Sequence, residues 1–448
     1  MKTAVIILLA ATVALFLWGA GMQFQRNRDM TRTDQSAYMD YAKKSLTVPF
    51  GFVPSRNYMP LYPAVMSWFY READSDVEYF ERGKLVNIGI ALLTLTLFYG
   101  VLLRNNHRWD ATVAVSVAAL AMAVFKAPCF QPEMLFFAIS FLMFVAQLHL
   151  ILRPSWQAAA IAGILSGFAY LTKGSVPPMI ALTILCLVGR SVENLVRRRA
   201  SNSSLKPAPV RPGLGKAPWV AAIVFSAALL ITVSPFLRAS KQMYGRWICE
   251  NNAYFFWCDS WTECQALMAS VGQEQGLYRT PSSELPGPIT YWRTHSLGDA
   301  GARIAEGCRR LYQQHIQWGY GYAKFIMVYA VCLAFIAYQR RKEVRAWLAG
   351  DGHKWAVLYS CGLFAGFLLL CTWYTAIDNS RRFTLVLFYP ALYLSVKGLT
   401  ATVNADVEWN LFGSKLKGSA VSSIVLLLLL QYVIFEFFYR VQFMDGTY

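Results

Sequence analysis

The chemistry in this chain starts from Asp34, in the stretch Thr31-Arg32-Thr33-Asp34-Gln35-Ser36-Ala37-Tyr38 that follows the first hydrophobic segment. A carboxylate held at a membrane surface can take a proton from a hydroxyl. An Asp ahead of Gln-Ser-Ala-Tyr-Met is also a good helix N-cap, so a capping role competes with a chemical one. Asp29 lies beside the end of the first hydrophobic segment, and Asp40 falls on the solvated face of the helix that Asp34 would open.

Cations come next, because a departing phosphate needs them. Lys173, in Leu171-Thr172-Lys173-Gly174, sits in a tiny loop on the side of the membrane that is poor in Lys; it can snorkel to water or neutralise a lipid phosphate. Arg381 and Arg382, in Asp378-Asn379-Ser380-Arg381-Arg382-Phe383, are out of place in the same way. Arg suits bidentate phosphate contact, although pairing with Asp378 or Glu133 would serve as well. Glu133, in Pro128-Cys129-Phe130-Gln131-Pro132-Glu133, enters a hydrophobic segment, where an acid is costly unless paired or wetted or favoured by a helix dipole. Arg56, Tyr58 and Tyr62, in Arg56-Asn57-Tyr58-Met59-Pro60-Leu61-Tyr62-Pro63, offer a cation and two phenols to a headgroup or sugar, or form an ordinary aromatic belt.

Apolar runs position these residues. They cover 3–20, 84–103, 111–125, 134–152, 156–171, 176–188, 219–236, 324–338, 355–371, 383–397 and 420–438, about eleven spans in all. The expected fold is an all-α polytopic membrane protein, a single domain over 1–448. An uncleaved N-terminal anchor with its start inside puts Arg104 to Arg108, Arg153, Arg190 to Lys216 and Arg340 to Lys342 in the cytoplasm, as the charge rule prefers. Residues 190–218 then form a cytoplasmic linker, rich in Ser, Pro and Gly from 201 on. Two large loops face outward, 21–83 and 237–322. The first contains amphipathic stretches at 38–45 and 62–70 that suit the interface plane.

Composition narrows the class. The chain has 448 residues, 56% hydrophobic and 15% charged, well below the charge content of soluble domains. The net charge of +17 is that of basic cytoplasmic loops, and no nucleic-acid partner is expected. Cys249, Cys258, Cys264 and Cys308 share the second outward loop and permit one or two disulfides of undetermined pairing. The same loop holds Asn251 to Trp261, dense in aromatics with Asn and Asp, which suits sugar stacking or a folded interfacial lid. His295 has no Ser or Cys partner and makes a weak hydrolase case. No CxxC pair, His/Cys cluster or acidic pair calls for a metal or other cofactor.

In the order of these features the chain resembles the GT-C glycosyltransferases, among them the protein O-mannosyltransferases and the lipid A aminoarabinose transferases. Asp34 with Tyr38 opens the first outward loop; a Tyr-x-Pro-x-x-Pro-like stretch follows. Pro132-Glu133 enters the fourth span, Leu171-Thr172-Lys173-Gly174 closes the fifth, and Arg381-Arg382-Phe383 precedes the helix with Pro390. The resemblance covers most of residues 1–400. It implies a GT-C fold and inverting transfer of a sugar from a polyprenyl-phosphate donor to a hydroxyl of a lipid, glycan or protein acceptor. It implies a site on the extracytoplasmic side; between a bacterial inner membrane and that of the endoplasmic reticulum, the short chain and short tail favour the bacterial one. It also implies Asp34 as the base, with Lys173, Arg381 and Arg382 at the donor phosphate and Arg56, Tyr58, Glu133 and Tyr38 around donor and sugar. Two positions depart from the pattern: Gln35 stands where protein O-mannosyltransferases carry Glu, and Met59 stands where the aminoarabinose transferases carry Lys. The rival readings are a lipid-linked sugar transporter or flippase, and an oligosaccharyl transferase or ligase that uses a pyrophosphate carrier.

Overall fold

The computed structural model describes residues 2–448 except 53–57, 105, 203–216, 249, 273–275, 278, 282, most of 314–340, 351, 379–380, 403–407, 412–413 and 444–448. A chain crossing hydrocarbon must satisfy its backbone internally, and this one does so with helices. Eight helices among the described residues are long and apolar enough to cross a membrane. They lie within α1 (Lys2–Arg26), α4 (Asp76–Leu103), α5 (Arg108–Lys126), α6 (Glu133–Leu152), α8 (Pro177–Asn202), α9 (Ala217–Tyr244), α15 (His353–Tyr374) and α17 (Gly418–Phe443). Two shorter apolar helices, α7 (Trp156–Thr172) and α16 (Phe388–Thr402), complete the set. These ten fall on expected spans; the span expected at 324–338 lies outside the described residues.

Three details differ from the expectation. α8 runs on to Asn202, through the start of the expected linker. A small antiparallel hairpin, β1 (Glu408–Leu411) and β2 (Ser414–Lys417), interrupts the all-α plan between α16 and α17. Ala119–Ala123 within α5 is wound as a π turn. Such a turn frees carbonyls, and Arg440 of α17 donates to the Ala121 carbonyl at 3.0 Å while lying 3.7 Å from the Phe125 ring.

The main core runs through α1, α4, α5, α6, α8, α15, α16 and α17. Helix α5 sits at its centre, nearly all of its span enclosed by neighbours rather than facing lipid. The two long loops gather at one end. The first contributes α2 (Gln35–Lys44) and α3 (Leu61–Ser67), which overlap the amphipathic stretches expected at 38–45 and 62–70. They bury Tyr38, Met39, Tyr62 and Met66 against Tyr79, Phe80 and Phe130, so they pack on protein as well as lining the surface. The second loop folds into α10 (Asn251–Phe255), α11 (Trp261–Ser270), α12 (Pro288–Thr294) and α13 (Leu297–Tyr312), with α14 (Arg341–Leu348) following at the other end of the bundle. Phe256, Trp257, Tyr291 and Trp373 interlock beneath this lid at centroid distances from 5.2 to 6.0 Å, and Arg303 lies 4.4 Å over Trp373.

Candidate active site

Asp34 stands at the position that opens α2, yet its side chain makes no capping hydrogen bond. It accepts instead from the Tyr58 hydroxyl at 3.2 Å. The capping role that competed for this residue is therefore not the one its carboxylate performs. Tyr58 is held by edge contacts with Tyr38 at 4.7 Å and Tyr41 at 5.3 Å. Tyr38 in turn meets Tyr62, whose fully buried hydroxyl takes Asn87 Nδ2 at 2.8 Å.

The backbone beneath Asp34 is fixed from both sides. Thr33 adopts φ +57°, alone among the described non-glycine residues in that region, a conformation that costs a side chain about 1–2 kcal/mol. Gln131 Nε2 donates to Thr33 Oγ1 at 2.6 Å and holds it there. On the other side, Gln35 is buried in a polar knot. Its Nε2 donates to Asn27 Oδ1 and to the carbonyls of Asp29 and Arg32; its Oε1 accepts from Asn27 Nδ2 and from the Phe130 amide, both at 2.9 Å. Asn27 closes the knot on the Pro128 carbonyl at 2.7 Å. The loop before α2 is thereby tied to the 127–132 turn, which also delivers Glu133. Burial pushes the thiol of Cys129, in that turn, up to about 11.

Lys173 follows the last residue of α7 and turns back into the bundle. Its ammonium lies 3.3 Å from Glu133 Oε1, the first residue of α6, and 5.2 and 5.6 Å from the Phe383 and Phe136 rings. It is thus an inward, partly wetted cation and not one that snorkels to bulk water. Glu133 is almost wholly enclosed. Placement at a helix start and pairing with Lys173 both answer the cost of burying it.

These residues share one cavity of about 400 Å³ at the end of the bundle that carries both long loops. Asp34, Tyr38, Tyr58, Glu133 and Lys173 line it, joined by Asn252, Phe255 and Trp261 of the second loop and by Tyr374, Asp378 and Phe383. A second chamber of about 330 Å³ shares Lys173, Gly174, Asn252, Tyr374 and Phe383 with the first. Its further walls are mostly apolar, among them Phe136, Phe256, Trp257, Phe367 and Leu370. The two together offer a polar compartment and an apolar one meeting at a single ammonium, each of a size that binds small ligands.

Of the residues expected at the site, five converge. Arg381 and Arg382 open a 3-10 turn, Arg381–Leu387, beside the cavity-lining Phe383, but their side chains lie outside the described residues. Arg56 also lies outside them. Sequence reasoning missed Glu250. It faces the apolar chamber and accepts from the Tyr170 hydroxyl. A Cβ at Gly174 would come 2.7 Å from Glu250 Oε2, so Gly174 lets the Glu250 carboxylate approach the backbone beside Lys173. Nothing in the sequence around Glu250 signalled this, since its partner Tyr170 lies 80 residues earlier. His295 joins no catalytic pair: its Nε2 meets Asp259 at 2.8 Å and its ring stacks on Tyr291. Burial acts to lower its pKa, but the bonds to Asp259 and to the Tyr291 carbonyl outweigh that and leave it above the ordinary histidine value. Among the described residues no three His, Cys, Asp or Glu side chains cluster as metal ligands do.

A family described as "Predicted membrane protein (DUF2142)" matches residues 23–246, from the end of α1 through the end of α9. The chain belongs to that family. No curated protein matches the sequence. Two solved structures of an oligosaccharyltransferase from Archaeoglobus fulgidus are similar to the chain, each at 11% identity. The one with zinc and sulfate has a TM-score of 0.48, over 97% of this chain and 53% of the other. The apo form has a TM-score of 0.43, over 98% and 56%. The chain spans about half the length of those proteins.

Proposed function

We propose that this integral membrane protein is a GT-C-type glycosyltransferase that moves a sugar from a polyprenyl-phosphate carrier to an acceptor hydroxyl, on the face of the membrane away from its basic loops. The observation that carries the reading is the single cavity in which the Asp34 carboxylate and the Lys173 ammonium are both wall residues. In this reaction the acceptor hydroxyl attacks the anomeric carbon as the bond to the carrier phosphate breaks. Asp34 accepts the hydroxyl proton, Tyr58 orients the carboxylate, and Lys173 offsets charge on the departing phosphate. Attack from the side opposite the phosphate inverts the anomeric centre. The apolar chamber beside Lys173 suits the first isoprene units of the carrier, and Asn252 and Trp261 suit a sugar. The order of motifs from Asp34 to Phe383 supports the same reading.

Asp34→Asn tests it. The variant is expected to fold and to bind a polyprenyl-phosphate sugar as the wild type does, with transfer slowed about 10²–10⁴-fold, the range that a positioned base supplies. Wild-type rates in the purified variant would remove Asp34 from the reaction.

A further inference from the structure

Cys258 and Cys264 lie in the lid, where the transfer reaction has no use for them. Cys258 ends the turn after α10, and Cys264 lies in α11, whose start is capped by Ser260 accepting from the Glu263 amide. Both side chains are 0% exposed, both belong to one small cluster with Phe255 and Ile377, and the Cys258 thiol reaches the Tyr254 carbonyl at 3.9 Å. Of the other loop cysteines, Cys308 is exposed on α13 and Cys249 lies outside the described residues.

A buried free cysteine ordinarily packs as a small hydrophobe. Two in one small buried cluster are different when the compartment is oxidising, and the basic loops at the opposite end of the bundle point this loop outward. The pair is also well placed. Phe255 and Trp261 line the polar cavity with ring centroids 6.3 Å apart, and Cys258 and Cys264 each follow one of them by three residues. We propose that Cys258 and Cys264 are joined by a disulfide in the protein as it exists in its membrane, and that this bond fastens the Phe255–Trp261 wall of the cavity.

The bond forms by thiol–disulfide exchange with the oxidised form of a dithiol oxidoreductase. One of the two thiolates attacks the oxidoreductase's disulfide and forms a mixed disulfide with it, and the other then displaces the oxidoreductase from that sulfur. The oxidoreductase leaves as its dithiol, having taken two electrons and two protons. Because both thiols are enclosed in the finished fold, exchange precedes the packing of α11 against Ile377.

The full-length protein, extracted in excess alkylating reagent and digested without reduction, tests the pairing by mass spectrometry. The expected fragment contains Cys258 and Cys264 unalkylated and is two hydrogens lighter than its reduced form; both residues take up the reagent only after reduction. Alkylation of both without reduction overturns the proposal, as does a bond from either one to Cys249 or Cys308. A second measurement is independent of any transfer assay. Reduction is expected to lower the melting temperature of the wild type and to leave that of the Cys258→Ser, Cys264→Ser variant unchanged. An equal drop in both would place the stabilising bond elsewhere. A negative result here leaves the Asp34 reaction untouched, and a failure of that reaction leaves this pairing untouched.

Discussion

The amide of Gln35 meets three oxygens, those of Asn27, Asp29 and Arg32, and each needs a donor. A carboxylate has none to give. This is the physical reason that an amide and not a carboxylate stands at position 35. Gln35→Glu sets acceptor against acceptor inside a buried knot and is expected to cost about 1–3 kcal/mol. Thermal unfolding in detergent measures it; an unchanged melting temperature would show that the knot does not hold the loop under Asp34. Lys173 and Glu133 separate binding from stability. Lys173→Ala strands an enclosed carboxylate, a loss of about 3 kcal/mol at the low end for a broken buried pair. Adding Glu133→Gln is expected to recover most of that stability, yet donor-lipid affinity is expected to stay low in both variants. If affinity returns along with stability, the ammonium supports the fold and not the phosphate.

Among the helices, α7 decides where Lys173 stands. Ala159, Gly163 and Gly167 recur every four residues along it, the small-residue spacing that lets membrane helices approach closely. A Cβ on Gly163 would lie 2.4 Å from the Phe225 carbonyl of α9, and one on Gly167 would lie 2.6 Å from Thr232. Backbone cannot swing aside as a side chain can, so Gly163→Ala is expected to push α9 away, at a cost of about 1–3 kcal/mol. It is also expected to weaken donor binding from a distance by tilting the end of α7. Wild-type affinity in a destabilised variant would mean that Lys173 is held by its pairing alone. The helices themselves were legible from the chain, because hydrocarbon leaves a backbone no other solution. Glu133 and Lys173 stood out as charges where the membrane disfavours them, and Asp34 as an acid opening a polar loop; that all three line one cavity is what the structure adds. The Gln35 knot and the Tyr170–Glu250 contact were not legible. Both join residues far apart in the chain through uncharged or ordinary side chains, and hydropathy carries no record of who meets whom. Nor could the sequence tell that an acid at a capping position would decline to cap.

At the scale of the whole molecule, the basic loops gather at one end and the cavity at the other, so the orientation can be read by labelling. Cys308 is exposed on α13 in the long-loop face. It is expected to react with a membrane-impermeant maleimide added to intact cells, in protein whose other cysteines are replaced by serine. Labelling only after lysis would invert the orientation and, with it, the side on which transfer is proposed. The closure of the bundle has its own consequence for biosynthesis. Arg440, near the end of the last helix, supplies the guanidinium that the π turn of α5 leans on, and Arg26 of α1 reaches back to the Val441 carbonyl at 2.5 Å. The earliest helices therefore wait on the final one. While the ribosome is still making α17, the nascent bundle holds a polar carbonyl in its middle with no partner yet delivered. A stop codon between Phe383 and Gly418 would leave the cell an open assembly without Arg440, suited to membrane proteases, although the cavity-lining residues from Asp34 to Phe383 are already translated.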